Sequence, residues 1–395
     1  MSEMSLNSNI KKLNIIQICR WLMFPAPIIA IFYFKYGLTM KDLFMIQAAS
    51  SMMISIFEIP TGYISDKFGR KNSLFYGLII SLIGFIIIGS SFGFTGFLIG
   101  ELFLGLGVTF ISGSDSAILY ETFAEMGKKE DYGKAEAKFQ SLHHFGEFFG
   151  VVIGGLIAAY SFRATYAFRG LFILIAIIAA YKLVEPSQTF SSEKDKPKIW
   201  SSAFKHTKNL WYIFGVSAFI FALMIIGFWY VQPILKNEAI PIIGFGVVFA
   251  LLKSISFVAA RYSTSLVAKL KLSGSIAFMI ILISLGYLGI SVFEGYYKLM
   301  FILPFYLVGG FYTPIINTAL NKRIESKSRA TVLSINNLFG RLVFSVLAPM
   351  IGFYSDMNGM ETTFLLISIL TIAIGSILWI PFVIGNKKIL LETQS

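Results

Sequence analysis

Gly62-Tyr63-Ile64-Ser65-Asp66-Lys67-Phe68-Gly69-Arg70-Lys71 is a short, charged, glycine-punctuated stretch set between two long apolar runs. Lys67, Arg70 and Lys71 place three cations where an apolar run ends. In a membrane-embedded chain such a cluster marks the cytoplasmic edge, because cytoplasmic loops carry the excess of Lys and Arg. Gly69 permits a tight turn that a side-chain-bearing residue resists. Asp66 is the one carboxylate among these cations. The stretch therefore reads as a turn at a membrane face.

Composition supports that setting. Hydrophobic residues make up 56% of the 395 and charged residues 14%, whereas soluble domains carry about 25% charged residues. The mean hydropathy is +0.74. A net charge of +12 could indicate nucleic acid, but the cations sit in short loops rather than on one stripe, and no nucleic-acid partner is expected. Cys19 is the only cysteine, which rules out an internal disulfide and a cysteine metal cluster. The polar start and Lys11-Lys12 resemble a signal peptide. The apolar run continues to Phe34 without a small-residue cleavage site, so it is expected to stay as a first membrane helix.

About 20 mainly apolar residues cross a bilayer. Twelve candidate spans are expected, near 13–34, 43–64, 74–93, 96–121, 139–160, 164–184, 209–233, 241–262, 274–293, 299–320, 331–354 and 362–385. The polar gap divides them six and six: residues 1–184 form an N-terminal half, 185–208 a cytoplasmic linker, and 209–395 a C-terminal half. Alternate loops then carry Lys67, Arg70 and Lys71; Lys128, Lys129, Lys134 and Lys138; Lys269 and Lys271; Lys322, Arg323, Lys327 and Arg329. The intervening loops hold little beyond Lys35, Lys41, Arg163, Lys236 and Lys298. Both termini should be cytoplasmic.

A charge at the bilayer centre costs about 3 kcal/mol on insertion scales, so intramembrane ionisable groups are functional candidates. Arg20, Glu58, Asp115, His143, His144 and Glu147 fall at similar depth in four spans of the first half. They fit either a bracing ion-pair network, with Arg20 on Asp115 as one pairing, or a proton-exchange site in which a histidine titrates near neutrality. In the second half Lys253 and Arg341 stand near mid-membrane without an obvious acidic neighbour, with Asn317, Asn336 and Asn337 as further polar groups. Trp229, Gln232 and Tyr312 belong to aromatic-rich spans suited to an amphipathic organic ligand. Gly146, Gly150, Gly154 and Gly155 form a small-residue ridge on the fifth span. Nucleotide chemistry is not indicated: Gly127 to Lys134 has the wrong spacing for a phosphate loop and lacks the Ser or Thr. No H-E-x-x-H motif exists, and no cofactor or metal site is expected.

The opening stretch closely resembles the signature loop between the second and third helices of the major facilitator superfamily, G-x-x-x-D-[RK]-x-G-R-[RK]. Gly62, Asp66, Lys67, Gly69, Arg70 and Lys71 all match. The resemblance implies an all-α membrane protein with twelve transmembrane helices in two pseudo-symmetric six-helix halves. It further implies a secondary active transporter, not an enzyme, that rocks about a central site. By the same resemblance, Arg70 should reach Glu121 at the cytoplasmic end of the fourth span, and Asp66 should approach Ser328 to Thr331. The second-half counterpart, Ala268 to Gly274, keeps the charge but not the Asp or the Gly-Arg pair. The glycine ridge is similar to that of proton-driven exporters, though their usual proline is missing. Glu101 stands before Gly105-Leu106-Gly107, where many of those exporters carry an arginine. The reading reached is a monomeric inner-membrane exporter of small amphipathic molecules, similar to bacterial drug:proton antiporters, with the bilayer and protons as its other partners. An organic-anion transporter using Lys253 and Arg341 is the alternative.

Overall fold

The chain departs from simple spans at Pro25 and Pro27, at Gly113 and at Lys271. The computed structural model describes residues 3–186, 210–324 and 329–392. The expected linker lies outside the described residues apart from Glu185 and Pro186, as does Ser328. The first part of the chain forms α1 (Glu3–Trp21), α2 (Ile29–Lys35), α3 (Met40–Phe68), α4 (Arg70–Ser90), α5 (Phe94–Ile111), α6 (Ser114–Glu125), α7 (Tyr132–Tyr160) and α8 (Phe162–Tyr181). The second forms α9 (Trp211–Asn237), α10 (Ile242–Val292), α11 (Leu303–Asn321), α12 (Arg329–Asn358) and α13 (Met360–Glu392). Two 3₁₀ segments, Lys129–Asp131 and Gly295–Ile302, complete the described elements, all of which are helical.

Ten segments among the described residues are long and apolar enough to cross a membrane. One of them, α10, has 51 residues; at about 1.5 Å per residue it is roughly 76 Å long, more than twice a hydrocarbon core of about 30 Å. Lys271 interrupts it with φ 57° and ψ 173°. Two passes therefore join at that residue, and the expected loop from Ala268 to Gly274 shrinks to a kink.

The expected first span, 13–34, is not one helix. Helix α1 stops at Trp21 and α2 starts at Ile29. Pro25 and Pro27 lie between them. Each lacks an N–H and clashes with the preceding turn, and each pushes its predecessor out of the helical region. The intervening chain closes on itself through short turns, with Met23 N–H donating to Trp21 O at 2.8 Å, Ala26 N–H to Met23 O at 3.0 Å and Ile28 N–H to Pro25 O at 2.9 Å. The fourth span, expected continuous over 96–121, is also divided. Gly113 takes φ 78° between α5 and α6, a backbone conformation that glycine adopts without strain.

The chain forms two compact units. The first comprises Met1–Leu38, Ala49–Ser192 and Ile240–Ala250; the second comprises Thr39–Ala48, Glu193–Ala239 and Leu251–Ser395. In the first, α1 packs on α7 and α8, and α4 on α5 and α8. The glycine ridge of α7 seats the broken part of the first span. A Cβ on Gly146 would lie 3.0 Å from Ile18 O, one on Gly150 2.4 Å from Met23 N, and one on Gly154 2.1 Å from Phe24 O. Backbone lies against backbone there, which only small residues allow. In the second unit, α9 is the most buried helix and packs on α11, α12 and α13. Asp356 accepts from Met40 N–H at 3.0 Å and Lys41 N–H at 2.9 Å, a carboxylate at a helix N-terminus, where the dipole favours it.

The ridge makes a graded prediction. Gly154→Ala should lower the stability of the detergent-purified protein by roughly 1–3 kcal/mol, the usual cost of overpacking. Gly133→Ala, on the same helix with nothing within 4 Å of its would-be Cβ, should not lower it and should raise it by up to about 1 kcal/mol, since alanine is the better helix former. Thermal unfolding followed by size-exclusion chromatography distinguishes the two.

Candidate functional site

The charged turn is built by the helix ends that surround it. Gly69 caps α4 with φ 95°, and α4 starts at Arg70 with its first N–H groups unpaired within the helix. Glu185 supplies the missing acceptors: its carboxylate takes Arg70 N–H at 2.7 Å and Lys71 N–H at 2.9 Å. A Cβ at position 69 would lie 3.0 Å from Glu185 Oε2, so Gly69 serves both its backbone angle and this close approach. Glu185 is held in place through its neighbour. Fully buried Asn9 on α1 donates to Val184 O at 2.8 Å and accepts from Val184 N–H at 2.9 Å. The Arg70 side chain donates from Nε to Glu121 Oε1 at 2.7 Å and lies 3.5 Å from Asp66 Oδ1. Three carboxylates thus surround one guanidinium and one helix N-terminus. Gly62 and Lys67 are exposed on α3, and Lys71 is half-buried.

Deeper in the same unit is a layer of ionisable groups. Arg20 Nη1 donates to Asp115 Oδ2 at 2.7 Å. Asp115 is buried and lies in the first turn of α6, where the helix dipole stabilises a carboxylate. Arg20 also lies over the Trp21 ring at 5.5 Å. Trp21 stacks on His143 with centroids 3.6 Å apart, and His143 Nε2 lies 4.0 Å from Glu147 Oε2. His144 stacks on His143 at 4.8 Å. The structure therefore brings Arg20, Asp115, His143, His144 and Glu147 into one chain of contacts running through Trp21. Glu58 is half-buried on α3.

Three features of the first unit have no counterpart among the sequence expectations. Arg169 of α8 is only 3% exposed. Its guanidinium donates to Cys19 O at 2.8 Å, to Leu22 O at 3.1 Å and to Arg20 O. It thus caps the Cys19 and Arg20 carbonyls at the end of α1 and is a second donor to Leu22 O, which also takes Phe24 N–H at 3.0 Å; its charge suits that negative dipole end. Its position in an apolar span was the available signal, as with any intramembrane cation. Glu185, expected at the start of the linker, is the cap of α4. Buried Glu101 accepts from Tyr33 OH at 2.8 Å, a pairing across two spans that no local pattern announces.

In the second unit Ser217 Oγ and Tyr312 OH lie 2.9 Å apart, and Ser217 Oγ donates to Asn336 Oδ1 at 2.8 Å. This buried trio joins α9, α11 and α12. Trp229 and Gln232 lie further along α9, about 18 Å or more from Ser217 at 1.5 Å per residue, and Asn337 is exposed. The expected cavity residues are therefore not one cluster. Lys253 and Arg341 are half-buried and both engage neighbouring groups, so the expectation of unpaired mid-membrane cations does not hold.

The sequence profile of the Major Facilitator Superfamily matches residues 14–349. The chain is 24% identical over 371 residues to an uncharacterized MFS-type transporter of Methanocaldococcus jannaschii, covering 90% of this chain and 92% of that one. It is 23% identical over 217 residues to the quinolone resistance protein NorA of Staphylococcus aureus, covering 54% of this chain and 53% of NorA. Among solved structures, a bacterial homolog of the human lysosomal transporter Spinster superposes with a TM-score of 0.80 at 13% identity, over 98% of each chain. At that identity the likeness is one of fold.

The signature turn makes the next prediction. In a double-mutant cycle, Arg70→Met and Glu121→Gln should couple by on the order of 1 kcal/mol, because each removal strands the other's partly buried partner. Glu185→Ala should cost about 1 kcal/mol, as loss of a helix cap does. Chemical or thermal unfolding in detergent measures both. Strict additivity of the Arg70 and Glu121 variants would show that their contact contributes nothing.

Proposed function

Because the chain belongs to the major facilitator superfamily, and so is a multi-pass membrane transporter of a small molecule rather than an enzyme, we propose that it exports amphipathic organic compounds in exchange for protons. The observation that carries this reading is the Arg20–Asp115 pair at 2.7 Å, inside a unit of apolar helices, with imidazoles one aromatic ring away. A carboxylate that can trade an arginine for a proton is the minimum device for coupling. Asp115 and Glu58 are the proposed proton carriers, and His143 and His144 are proposed to relay. Export of organic compounds is supported by the likeness to NorA, a quinolone resistance protein. The proposed location is the cytoplasmic membrane with both termini inside, following the Lys and Arg bias of the loops. The signature turn of Gly62, Asp66, Lys67, Gly69, Arg70 and Lys71 is proposed to act as a cytoplasmic latch.

Energetically one proton is enough. Across about 150 mV it releases roughly 3.5 kcal/mol, at about 2.3 kcal/mol per 100 mV. That sustains a concentration ratio of a few hundredfold.

In proteoliposomes, a panel of amphipathic cations and organic anions should give substrate-dependent proton flux. Asp115→Asn and Glu58→Gln should each cut that flux by about tenfold or more, the equivalent of about 1.4 kcal/mol. Full coupling in both variants would leave the proton reading without its carriers. Selective loss of anionic substrates in Arg341→Gln would favour an organic-anion transporter instead.

A further inference from the structure

We propose that His143, His144 and Glu147 form a binding site for a divalent transition-metal ion of borderline softness, such as zinc. The site takes in His143 and His144, the two imidazoles of the relay proposed above, and an ion bound there would displace their protons; the sequence, lacking any familiar metal motif, does not announce it.

The donor set comes first. One nitrogen from each imidazole and one carboxylate oxygen lie within 4.8 Å of one another. Two imidazoles with one carboxylate is a set that suits zinc, nickel or cobalt rather than calcium or magnesium, which favour oxygen alone. His143 and Glu147 are one helical turn apart on α7 and so share a face. His144 follows next in sequence, and its ring lies beside that of His143 with centroids 4.8 Å apart and planes at 17°. Metal bonds of about 2.0–2.2 Å bring tetrahedral donors to about 3.3 Å from each other. Binding thus draws the widest pair together by about 1.5 Å, which side-chain rotation supplies.

Orientation comes second. The His143 ring is clamped against Trp21 at 3.6 Å with an interplanar angle of 19°. Such support of a ligand from outside the donor set raises metal affinity by fixing the ring. The nearest cation along this chain of contacts is Arg20, which is neutralised by Asp115 at 2.7 Å, so the site faces little uncompensated repulsion. Access comes third. His144 is exposed, and His143 and Glu147 are half-buried. Phe145, Phe149 and Leu156, all exposed, lie on another flank of α7. Three protein donors leave a coordination position for water or for a bound compound.

The test uses the full-length protein purified in detergent without a histidine tag. Zinc is titrated against a chromophoric chelator, and cobalt is followed by its visible ligand-field absorption. One ion should bind per chain. His144→Gln and Glu147→Gln should each weaken binding by at least roughly tenfold, and His143→Gln should abolish the cobalt band. Since a ligand that binds the folded state stabilises it, zinc should also raise the melting temperature of the wild-type protein. That readout does not depend on how well any variant folds. Absence of saturable zinc binding to the wild type would overturn the proposal. So would equal affinity in the wild type and a folded His143→Gln/His144→Gln double variant.

Discussion

The break in the first span is the constraint on which the rest of the first unit depends. A bilayer offers no water to satisfy backbone groups, so an interrupted helix survives only where protein supplies the partners. Arg169 supplies them, donating to the carbonyls of Cys19, Arg20 and Leu22. The residues that follow have no helical shape to present, and α7 meets them with glycines at 150 and 154, while Gly146 lies against the last turns of α1 itself. With α1 ending at Trp21, Arg20 and Trp21 occupy its last turn. From there Arg20 reaches Asp115 and Trp21 reaches His143. Shifting the break by one turn would separate every one of these pairs.

A second interruption complements the first. The gap at Gly113 places Asp115 in the opening turn of α6, the positive end of that helix dipole, while Arg20 and Arg169 gather at the negative end of α1. Arg20 and Asp115 are thus each favoured by their own helix end before they pair. The ion pair then joins two half-helices whose dipoles already suit it. Discontinuous helices with charged groups at their broken ends are a recurring way for transporters to build polar sites inside a membrane. The signature turn repeats the device at the membrane face, where the Glu185 carboxylate sits on the N-terminus of α4.

How far the sequence could be read follows from which interactions are local. The helical membrane class, the family and the charged turn were all legible, because each rests on hydropathy, spacing or loop charge. The pairing of Arg20 with Asp115 was open to argument, since an isolated membrane charge needs an opposite partner and few were on offer. The break itself was written in Pro25 and Pro27, but the surrounding run is apolar enough for hydropathy to read across it. What Arg169 and Glu185 bind was illegible for a different reason. Their partners are backbone groups whose availability depends on where other helices end, and no side-chain pattern encodes that. The scatter of Trp229, Gln232 and Asn337 away from Ser217, Tyr312 and Asn336 has the same origin: a shared span does not imply a shared face or depth.

The most direct test of this account is amide hydrogen exchange over Leu22 to Ile28 in the wild type and in Arg169→Gln, with α4 and α5 as internal references. The guanidinium is held to satisfy the open carbonyls at a value of about 1–3 kcal/mol. The variant should therefore exchange about tenfold faster or more at Leu22, Met23, Phe24 and Ala26, with the reference helices unchanged. Unaltered exchange across the break in a folded variant would show that the prolines and the glycine ridge hold it without Arg169, and would contradict the account.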